Sequence, residues 1–218
     1  LSLFESGKIM FKNKEYFITG YRDWLKEFAE YKYLIFLSLI IFAIATYLDY
    51  LSGVYTSMVE TADVRDLILD HIAPVKLNII YIWGYIFFTS VLVFYPVLFH
   101  IRTLHIVISQ FSLLIMLRSV FILLTHLHLP QDAIIIDFPG IFQKLSFQND
   151  MFFSGHTAIP FLGFLMFKKK IRYLFLFGSA MMGTVVLLMH VHYSIDVFGA
   201  FFITYGSYKI GNLIIRKA

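Results

Sequence analysis

Two short polar motifs carry the residues of this sequence that could do chemistry. Ser154, Gly155 and His156 are consecutive, and Asp196 follows His192 by four residues. On a helix, residues four apart lie on one face, so the Asp196 carboxylate can accept a ring N–H from His192. That hydrogen bond sets the tautomer and leaves the other ring nitrogen unprotonated and more nucleophilic. The alternative is a structural His–Asp pair that joins two helices.

The Ser154-Gly155-His156 motif is suited to binding an anion. At the start of a helix, free backbone N–H groups and the positive end of the helix dipole favour bound anions. Gly155 lets the backbone approach a bound group, Ser154 adds a hydroxyl donor, and His156 can protonate a departing oxygen. The alternative is that Ser154 only caps a helix and that His156 takes no part in chemistry.

Arg118 lies in the last third of an apolar stretch. A guanidinium at that depth needs an anionic partner or must reach the interface by snorkelling. Its planar fork matches phosphate oxygens in pairs. An anion site, an aspartate-oriented histidine, an acid histidine and an arginine together predict phosphoryl transfer through a phosphohistidine.

The composition predicts an integral membrane protein. Of the 218 residues, 59% are hydrophobic and 15% are charged, whereas a soluble globular domain is about half apolar and a quarter charged. The 25 Phe and 14 Tyr exceed what one water-soluble core of this size can bury. The basic residues flank apolar stretches and form no separate patch, which argues against a nucleic-acid partner. The absence of Cys excludes thiolate metal ligands and thiol catalysis.

Six apolar stretches approach the length of about 20 residues that a transmembrane helix needs. They are 33–51, 77–99, 102–124, 152–167, 171–190 and 192–214. The fourth is short, and the last two are so close that they are expected to form a tight helical hairpin. The predicted fold is therefore an all-α integral membrane bundle of six transmembrane helices, in one domain over residues 33–218.

Residues 1–32 precede the first span and are too polar for a secretory signal. Five bulky apolar or aromatic residues recur there at helical spacing, namely Tyr21, Trp24, Leu25, Phe28 and Tyr31. This pattern predicts an amphipathic cytoplasmic segment that either lies in the membrane interface or is solvated beside it.

The distribution of Lys and Arg predicts the orientation, because cytoplasmic loops carry an excess of both. Six lie in residues 1–32, four in the connection 168–172, and two at 216–217. With six spans these regions share one side, so both termini are expected in the cytoplasm. The two histidine motifs then lie at the extracytoplasmic ends of the fourth and sixth spans.

The two motifs resemble the second and third motifs of the type 2 phosphatidic acid phosphatase superfamily, a six-helix membrane fold. The closer likeness is to its sphingomyelin synthase-like branch. That likeness rests on Phe-Ser-Gly-His-Thr at 153–157, preceded by Asp150, and on His-Val-His-Tyr-Ser-Ile-Asp-Val at 190–197. Leu117-Arg118-Ser119 resembles an upstream motif of the branch less specifically.

Further features refine this resemblance, which spans roughly residues 60–210. The stretch Asp66–Asp70 is similar to the first outer loop of the branch, although the Pro-rich lead-in is missing. Four positions depart from the phosphatases, which have Pro, Ser, Arg and Lys where this chain has Phe153, Val185, Val186 and Phe111. These differences favour the synthase-like branch and leave Arg118 with a larger share of phosphate binding.

The resemblance implies a role for each site residue. His192 would be the nucleophile, Asp196 its orienting partner, and His156 the acid that releases the first alcohol and then the base for the incoming hydroxyl. Arg118, Ser154 and Gly155 would bind the phosphate. Asp150 is an auxiliary candidate that would position His156 or a cationic head group.

The implied activity is lipid phosphotransfer. A phospho-head group would move from a phospholipid donor to a lipid alcohol acceptor, either ceramide or a diacylglycerol-like alcohol. The mechanism needs no cofactor and no metal, although His126, His128 and His190 are residue types that bind metals. Asp49, near the outer end of the first span, is expected to cap or snorkel.

Two alternatives remain from the sequence. A lipid phosphate phosphatase or phospholipase-type hydrolase would use the same residues with water as the acceptor. A transporter or scaffold bundle would use His and Asp to line a proton path, and it would place charged residues at mid-membrane depth along several spans. In this sequence the charged candidates cluster at one boundary of the membrane.

Overall fold

The computed structural model describes residues 20–136, 147 and 149–215, and this part of the chain is helical without a β-strand. Its six α-helices are α1 (Tyr21–Thr56), α2 (Asn78–Phe99), α3 (Leu104–Leu124), α4 (Gly155–Met166), α5 (Lys169–Leu188) and α6 (Ser194–Ile215). Short 3-10 turns span Leu69–His71 and Ile101–Thr103. The all-α prediction is confirmed.

Four of the helical stretches are long and apolar enough to cross a membrane. They are Tyr21–Thr56, Asn78–Phe99, Ile101–Leu124 and Lys169–Leu188. The 12 residues of α4 extend about 18 Å at 1.5 Å per residue, less than the hydrocarbon core of about 30 Å. The 22 residues of α6 are sufficient in length, but polar side chains interrupt its apolar sequence. The four long apolar helices are typical of a membrane protein.

Helix α1 is longer than the predicted span 33–51, because nothing in its sequence stops it. It contains no proline, so the amphipathic residues 21–32 continue directly into the apolar part over 36 residues. The start of α1 is bonded to the last turn of α2 and to the α2–α3 connection. Trp24 donates its indole N–H to the carbonyl of Val97 at 2.8 Å, and Glu27 pairs with Arg102 at 2.6 Å. The interfacial position of this segment stays a prediction, and residues 1–19 lie outside the described residues.

The core of the bundle forms around α4, which packs against α5 and α6, while α1 packs along α3. Two glycines allow the close helix contacts. The ring of Phe175 lies against Gly163, and the ring of Phe88 lies against Gly178, so a side chain at either glycine would collide with an aromatic ring. Leu162 of α4 is fully buried in the same core cluster as these two rings.

A five-residue connection, 189–193, joins α5 to α6. His190 takes the left-handed conformation, with φ of 56°, where the chain reverses. The short connection agrees with the predicted hairpin, but the two helices pack little on each other; Val197 lies beside Gly183. Both pack mainly on α4. Helix α4 therefore lies between α5 and α6 in the packing and helps to position both.

Candidate active site

Arg118 and the two histidine motifs lie together at one end of the bundle. The backbone N–H of Ser154 donates to the carbonyl oxygen of Asp196 at 3.4 Å. A Cβ atom at Gly155 would lie 3.9 Å from Nε of Arg118. Arg118 and His192 are both close enough to His156 to interact with it electrostatically. The structure thus brings the two motifs and the arginine, which are far apart in sequence, into one site.

His192 and Asp196 form a buried pair at the start of α6. Nδ1 of His192 lies 3.1 Å from Oδ2 of Asp196, and the same oxygen accepts the backbone N–H of Tyr193 at 3.1 Å. Asp196 is the third residue of α6, and it reaches back to the N–H that precedes the helix, as the acidic residue of a capping box does. The carboxylate holds the proton on Nδ1, which leaves Nε2 of His192 unprotonated.

The other carboxylate oxygen of Asp196, Oδ1, is buried and has no hydrogen-bond partner among the described residues. A buried carboxylate oxygen favours a nearby positive charge, because unpaired polar groups are costly away from water. The pair can therefore stabilise an imidazolium or a phosphorylated imidazole on His192.

Helix α4 begins directly after Ser154, whose hydroxyl makes no capping hydrogen bond to this helix. That hydroxyl is buried and accepts a hydrogen bond from the hydroxyl of Thr157 at 3.2 Å, so its own proton is left to donate. The backbone N–H groups of Thr157 and Ala158 donate to the carbonyl of Ser154. The N–H groups of Gly155 and His156 precede these bonds and, as at the start of any helix, are left for an external acceptor.

The imidazole of His156 lies against two tyrosines of α2. Its ring centroid is 3.8 Å from that of Tyr81 and 4.5 Å from that of Tyr85. Its Nε2 is buried without a hydrogen-bond partner in the described part of the chain. The tyrosines therefore hold the ring orientation through packing. Sequence reasoning missed both tyrosines, and their i, i+4 spacing on an apolar helix was the available signal.

Arg118 is paired with two carboxylates. Its Nη1 lies 2.7 Å from Oδ1 of Asp49 on α1, and its Nη2 pairs with Oδ2 of Asp150. The hydroxyl of Ser119 also donates to Oδ1 of Asp49 at 3.2 Å. The sequence predicted that Arg118 would either have an anionic partner or snorkel, and in the structure it has two anionic partners. Asp49 is a site residue that sequence reasoning assigned to capping or snorkelling, because nothing local indicated that α1 would pack along α3.

The two carboxylates pair with Nη1 and Nη2 of Arg118. The Nε edge of the guanidinium lies beside Gly155, at the start of α4. A guanidinium has five N–H donors, so two carboxylates do not exhaust it. Burial raises the pKa of the Asp150 carboxyl above its ordinary value, although Arg118 favours the ionised form. Asp150 also lies close enough to His192 to interact with it electrostatically. Asp150 therefore belongs to the site through Arg118.

The three histidines that the sequence offered as metal-binding residue types, His126, His128 and His190, do not converge on one point. His128 Nδ1 lies 2.8 Å from the carbonyl oxygen of Leu129, the ring of His126 packs against Tyr55, and His190 is buried in the α5–α6 turn. Over residues 20–136, 147 and 149–215, no three His, Asp or Glu side chains are grouped so as to hold a metal ion.

Comparison with known proteins does not identify a family for this chain. No family model, no curated protein and no solved structure matches it. The function proposed in the next subsection is therefore supported by the residues, their geometry and the motif resemblance.

Proposed function

We propose that this protein is a membrane lipid phosphotransferase that moves a phospho-head group from a phospholipid to the hydroxyl of a second lipid through a phosphohistidine on His192. The motif resemblance makes it sphingomyelin synthase-like, with ceramide or a diacylglycerol-like alcohol as acceptor. The observation that carries the proposal is the His192–Asp196 pair of 3.1 Å beside the start of α4 and Arg118.

In the first step the donor phosphate lies at the start of α4. The N–H groups of Gly155 and His156, the hydroxyl of Ser154 and the Nε edge of Arg118 supply its hydrogen bonds. Nε2 of His192 attacks phosphorus, and the bond from phosphorus to the glyceride oxygen breaks. His156 gives its proton to that oxygen, so diacylglycerol leaves and the phospho-head group stays on His192. The Asp196 carboxylate stabilises the positive charge that develops on the ring.

In the second step the hydroxyl of the acceptor lipid gives its proton to His156, which the first step left unprotonated. The acceptor oxygen attacks phosphorus, and the bond from phosphorus to Nε2 of His192 breaks. Both histidines return to their starting states, so the cycle consumes and releases no net proton.

The charge around the site supports a phosphodiester donor over a phosphomonoester. Arg118 is already paired with Asp49 and Asp150, and Asp196 adds a third carboxylate nearby. A phosphodiester brings one negative charge and a lipid phosphate monoester brings up to two. At an effective dielectric constant of about 20, two like charges repel by about 4 kcal/mol when they are about 4 Å apart and by about 1.4 kcal/mol when they are about 12 Å apart. A phosphatase acting on lipid phosphates is therefore disfavoured, while a hydrolase acting on phosphodiesters stays the second candidate because water can replace the acceptor.

We also propose that α4 and α6 enter the membrane together with the four long apolar helices, with six crossings and both termini in the cytoplasm. The site would then lie at the extracytoplasmic face, in the outer or luminal leaflet. The Lys168–Lys170 run spans the start of α5, at the opposite end of α4 from His156, as the positive-inside rule requires for a cytoplasmic connection.

The test uses the full chain in vesicles with labelled phosphatidylcholine, phosphatidylethanolamine and phosphatidic acid, each with and without ceramide. We expect a new phospholipid that appears only when both a diester donor and a lipid alcohol are present. Release of free phosphoalcohol without acceptor transfer would identify the hydrolase. Release of phosphate from phosphatidic acid alone would contradict the charge argument, and no turnover of any lipid would contradict both candidates.

A further inference from the structure

Asp66 lies in the outer loop between α1 and α2, and its carboxylate accepts three backbone hydrogen bonds. Oδ2 accepts the N–H of Ser194, the first residue of α6, at 2.6 Å. Oδ1 accepts the N–H of Ile68 at 2.9 Å and that of Leu69 at 3.2 Å. The residue is buried. One carboxylate thus joins the loop to the start of α6, 128 residues away in sequence.

Helix α6 needs such a partner, because the first N–H groups of a helix have no acceptor within the helix. The residue before it is Tyr193, whose side chain cannot cap a helix. Asp196 accepts the N–H of Tyr193, and Asp66 accepts the next N–H along the chain. A negative charge at this position also interacts favourably with the helix dipole.

The loop around Asp66 is itself held in place. The N–H of Asp70 donates to the carbonyl of Asp66 at 2.9 Å, which closes the turn that carries Leu69. Leu69 packs with Met151 and Tyr193 in a small buried cluster. Asp66 therefore joins the start of α6 to a loop that its own hydrogen bonds and packing already hold in place.

The carboxylate is held in its ionised form. Burial opposes ionisation of Asp66, but the hydrogen bonds from Ser194, Leu69 and Ile68 outweigh it and hold the pKa of this carboxyl below its ordinary value. Asp66 is thus a charged acceptor, in line with a residue that fixes a helix end.

We infer that Asp66 is a positioning residue, which fixes the start of α6 and thereby the place of the His192 imidazole relative to the start of α4. His192 precedes Ser194 by two residues and is joined to α6 through Asp196, so a shift of the helix start displaces the ring. The effect on turnover rests on the proposed function. The effect on the helix start does not.

The experiment compares Asp66→Asn with Asp70→Asn. An amide has one oxygen, so Asn at position 66 must direct an NH2 group at a backbone N–H on one of its two sides. Asp70 is an exposed aspartate of the same loop and supplies the matched control. We expect Asp66→Asn to lower kcat on the order of 10²-fold, the cost of a displacement of about 1 Å at the reacting atoms, with little change in KM. Asp70→Asn should keep wild-type kcat.

Hydrogen exchange supplies a readout that does not depend on activity. In Asp66→Asn, a peptide that covers residues 192–198 should exchange faster than in the wild type, while peptides from α2 and α5 should be unchanged. Wild-type kcat together with unchanged exchange of that peptide would overturn the inference. If no lipid is turned over by the wild type, the proposed function fails, and the exchange measurement still decides the role of Asp66.

Ser194→Pro is a second variant that tests the same bond from the other side. Proline is favoured at the first position of a helix and lacks the N–H that Asp66 accepts. It should reproduce the faster exchange and the loss of kcat. The double variant Asp66→Asn/Ser194→Pro should be no worse than either single variant, because both remove one interaction. Additive losses would show that Asp66 acts through another contact. If Asp66→Asn does not fold, Asp66→Glu replaces it in this cycle, and it should lose less kcat than Ser194→Pro because the carboxylate is kept.

Discussion

Asp49 of α1 and Arg118 of α3 form an ion pair of 2.7 Å between Oδ1 and Nη1, at the end of the bundle that holds His192 and His156. The pair ties the long first helix to the site, and Asp150 pairs with the other terminal nitrogen of the same guanidinium. Arg118 is therefore fixed from two sides. Under the proposed function, its partners also set the charge that an incoming phosphate meets.

Removal of the Asp49 charge should change which phosphate the site accepts. Asp49→Asn keeps the size of the side chain and one acceptor for Arg118, but it removes one negative charge. We expect the ratio of kcat/KM for phosphatidic acid to that for phosphatidylcholine to rise about tenfold, as a relief of repulsion of about 1.4 kcal/mol implies. Glu30→Gln, an exposed acidic residue of the same helix, is the control. An unchanged ratio would contradict the charge argument.

Asp196→Asn should fold but turn over poorly. The change is isosteric, and the amide oxygen can replace Oδ2, which accepts both the ring N–H of His192 and the N–H of Tyr193. The NH2 group would then be buried at the place of Oδ1, and the negative charge that stabilises the imidazolium would be lost, so the loss in kcat should be about 10⁴-fold, as in other Asp–His pairs. Steady-state kinetics, with the thermal midpoint as a check on folding, measure it. Near-wild-type kcat would make Asp196 purely structural.

Alanine variants of His192 and His156 should differ in the substrates that they still turn over, because the two histidines have different roles. His192→Ala has no nucleophile and should lose activity toward every substrate. His156→Ala loses general acid help worth about 10²–10⁴-fold, most of which a good leaving group makes unnecessary. A nitrophenyl ester of a phospholipid head group, once shown to be a substrate of the wild type, should therefore restore part of the activity of His156→Ala and none of that of His192→Ala. Rescue of His192→Ala alone would reverse the assignment.

The stabilising effect of Asp66 should depend on pH. Its pKa is lower in the folded protein than the ordinary value of about 3.9 expected in the unfolded chain. The carboxylate therefore contributes stability that is present above the unfolded pKa and is lost as the pH falls through the folded pKa. The difference in thermal midpoint between the wild type and Asp66→Asn should be largest near pH 7 and should shrink below about pH 4. A difference of constant size across this range would count against an ionised Asp66.

The orientation can be tested by single-cysteine labelling, because the chain contains no Cys. Asp132→Cys lies in the connection between α3 and α4, which we propose to be extracytoplasmic, and Lys170→Cys lies at the start of α5; both positions are exposed. In sealed right-side-out vesicles, an impermeant maleimide should label position 132 and leave position 170 unlabelled until the membrane is opened. The reverse pattern would put the site on the cytoplasmic face.

Local relationships were readable from the sequence because they depend on few residues. The hydrophobic composition predicted a membrane protein, and the structure has four helices long and apolar enough to cross a membrane. The spacing of His192 and Asp196 predicted that the two side chains would meet, and they do. The predicted shared helix face was wrong, because α6 begins at Ser194 and His192 lies in the turn before it, where Asp196 reaches back to the residues that precede the helix. The starts of α4 and α6 also fall at the predicted motifs.

Contacts between distant segments were decided only by the tertiary structure. The sequence does not indicate that Asp49 would meet Arg118, that Tyr81 would stack on His156, or that Asp66 would hold the start of α6. Each contact depends on which faces of separate elements pack together, and an apolar helix can present several faces to its neighbours. The spacing of the motifs therefore indicated which groups are candidates for chemistry, while helix packing decided which side chains surround them and which charges lie nearby.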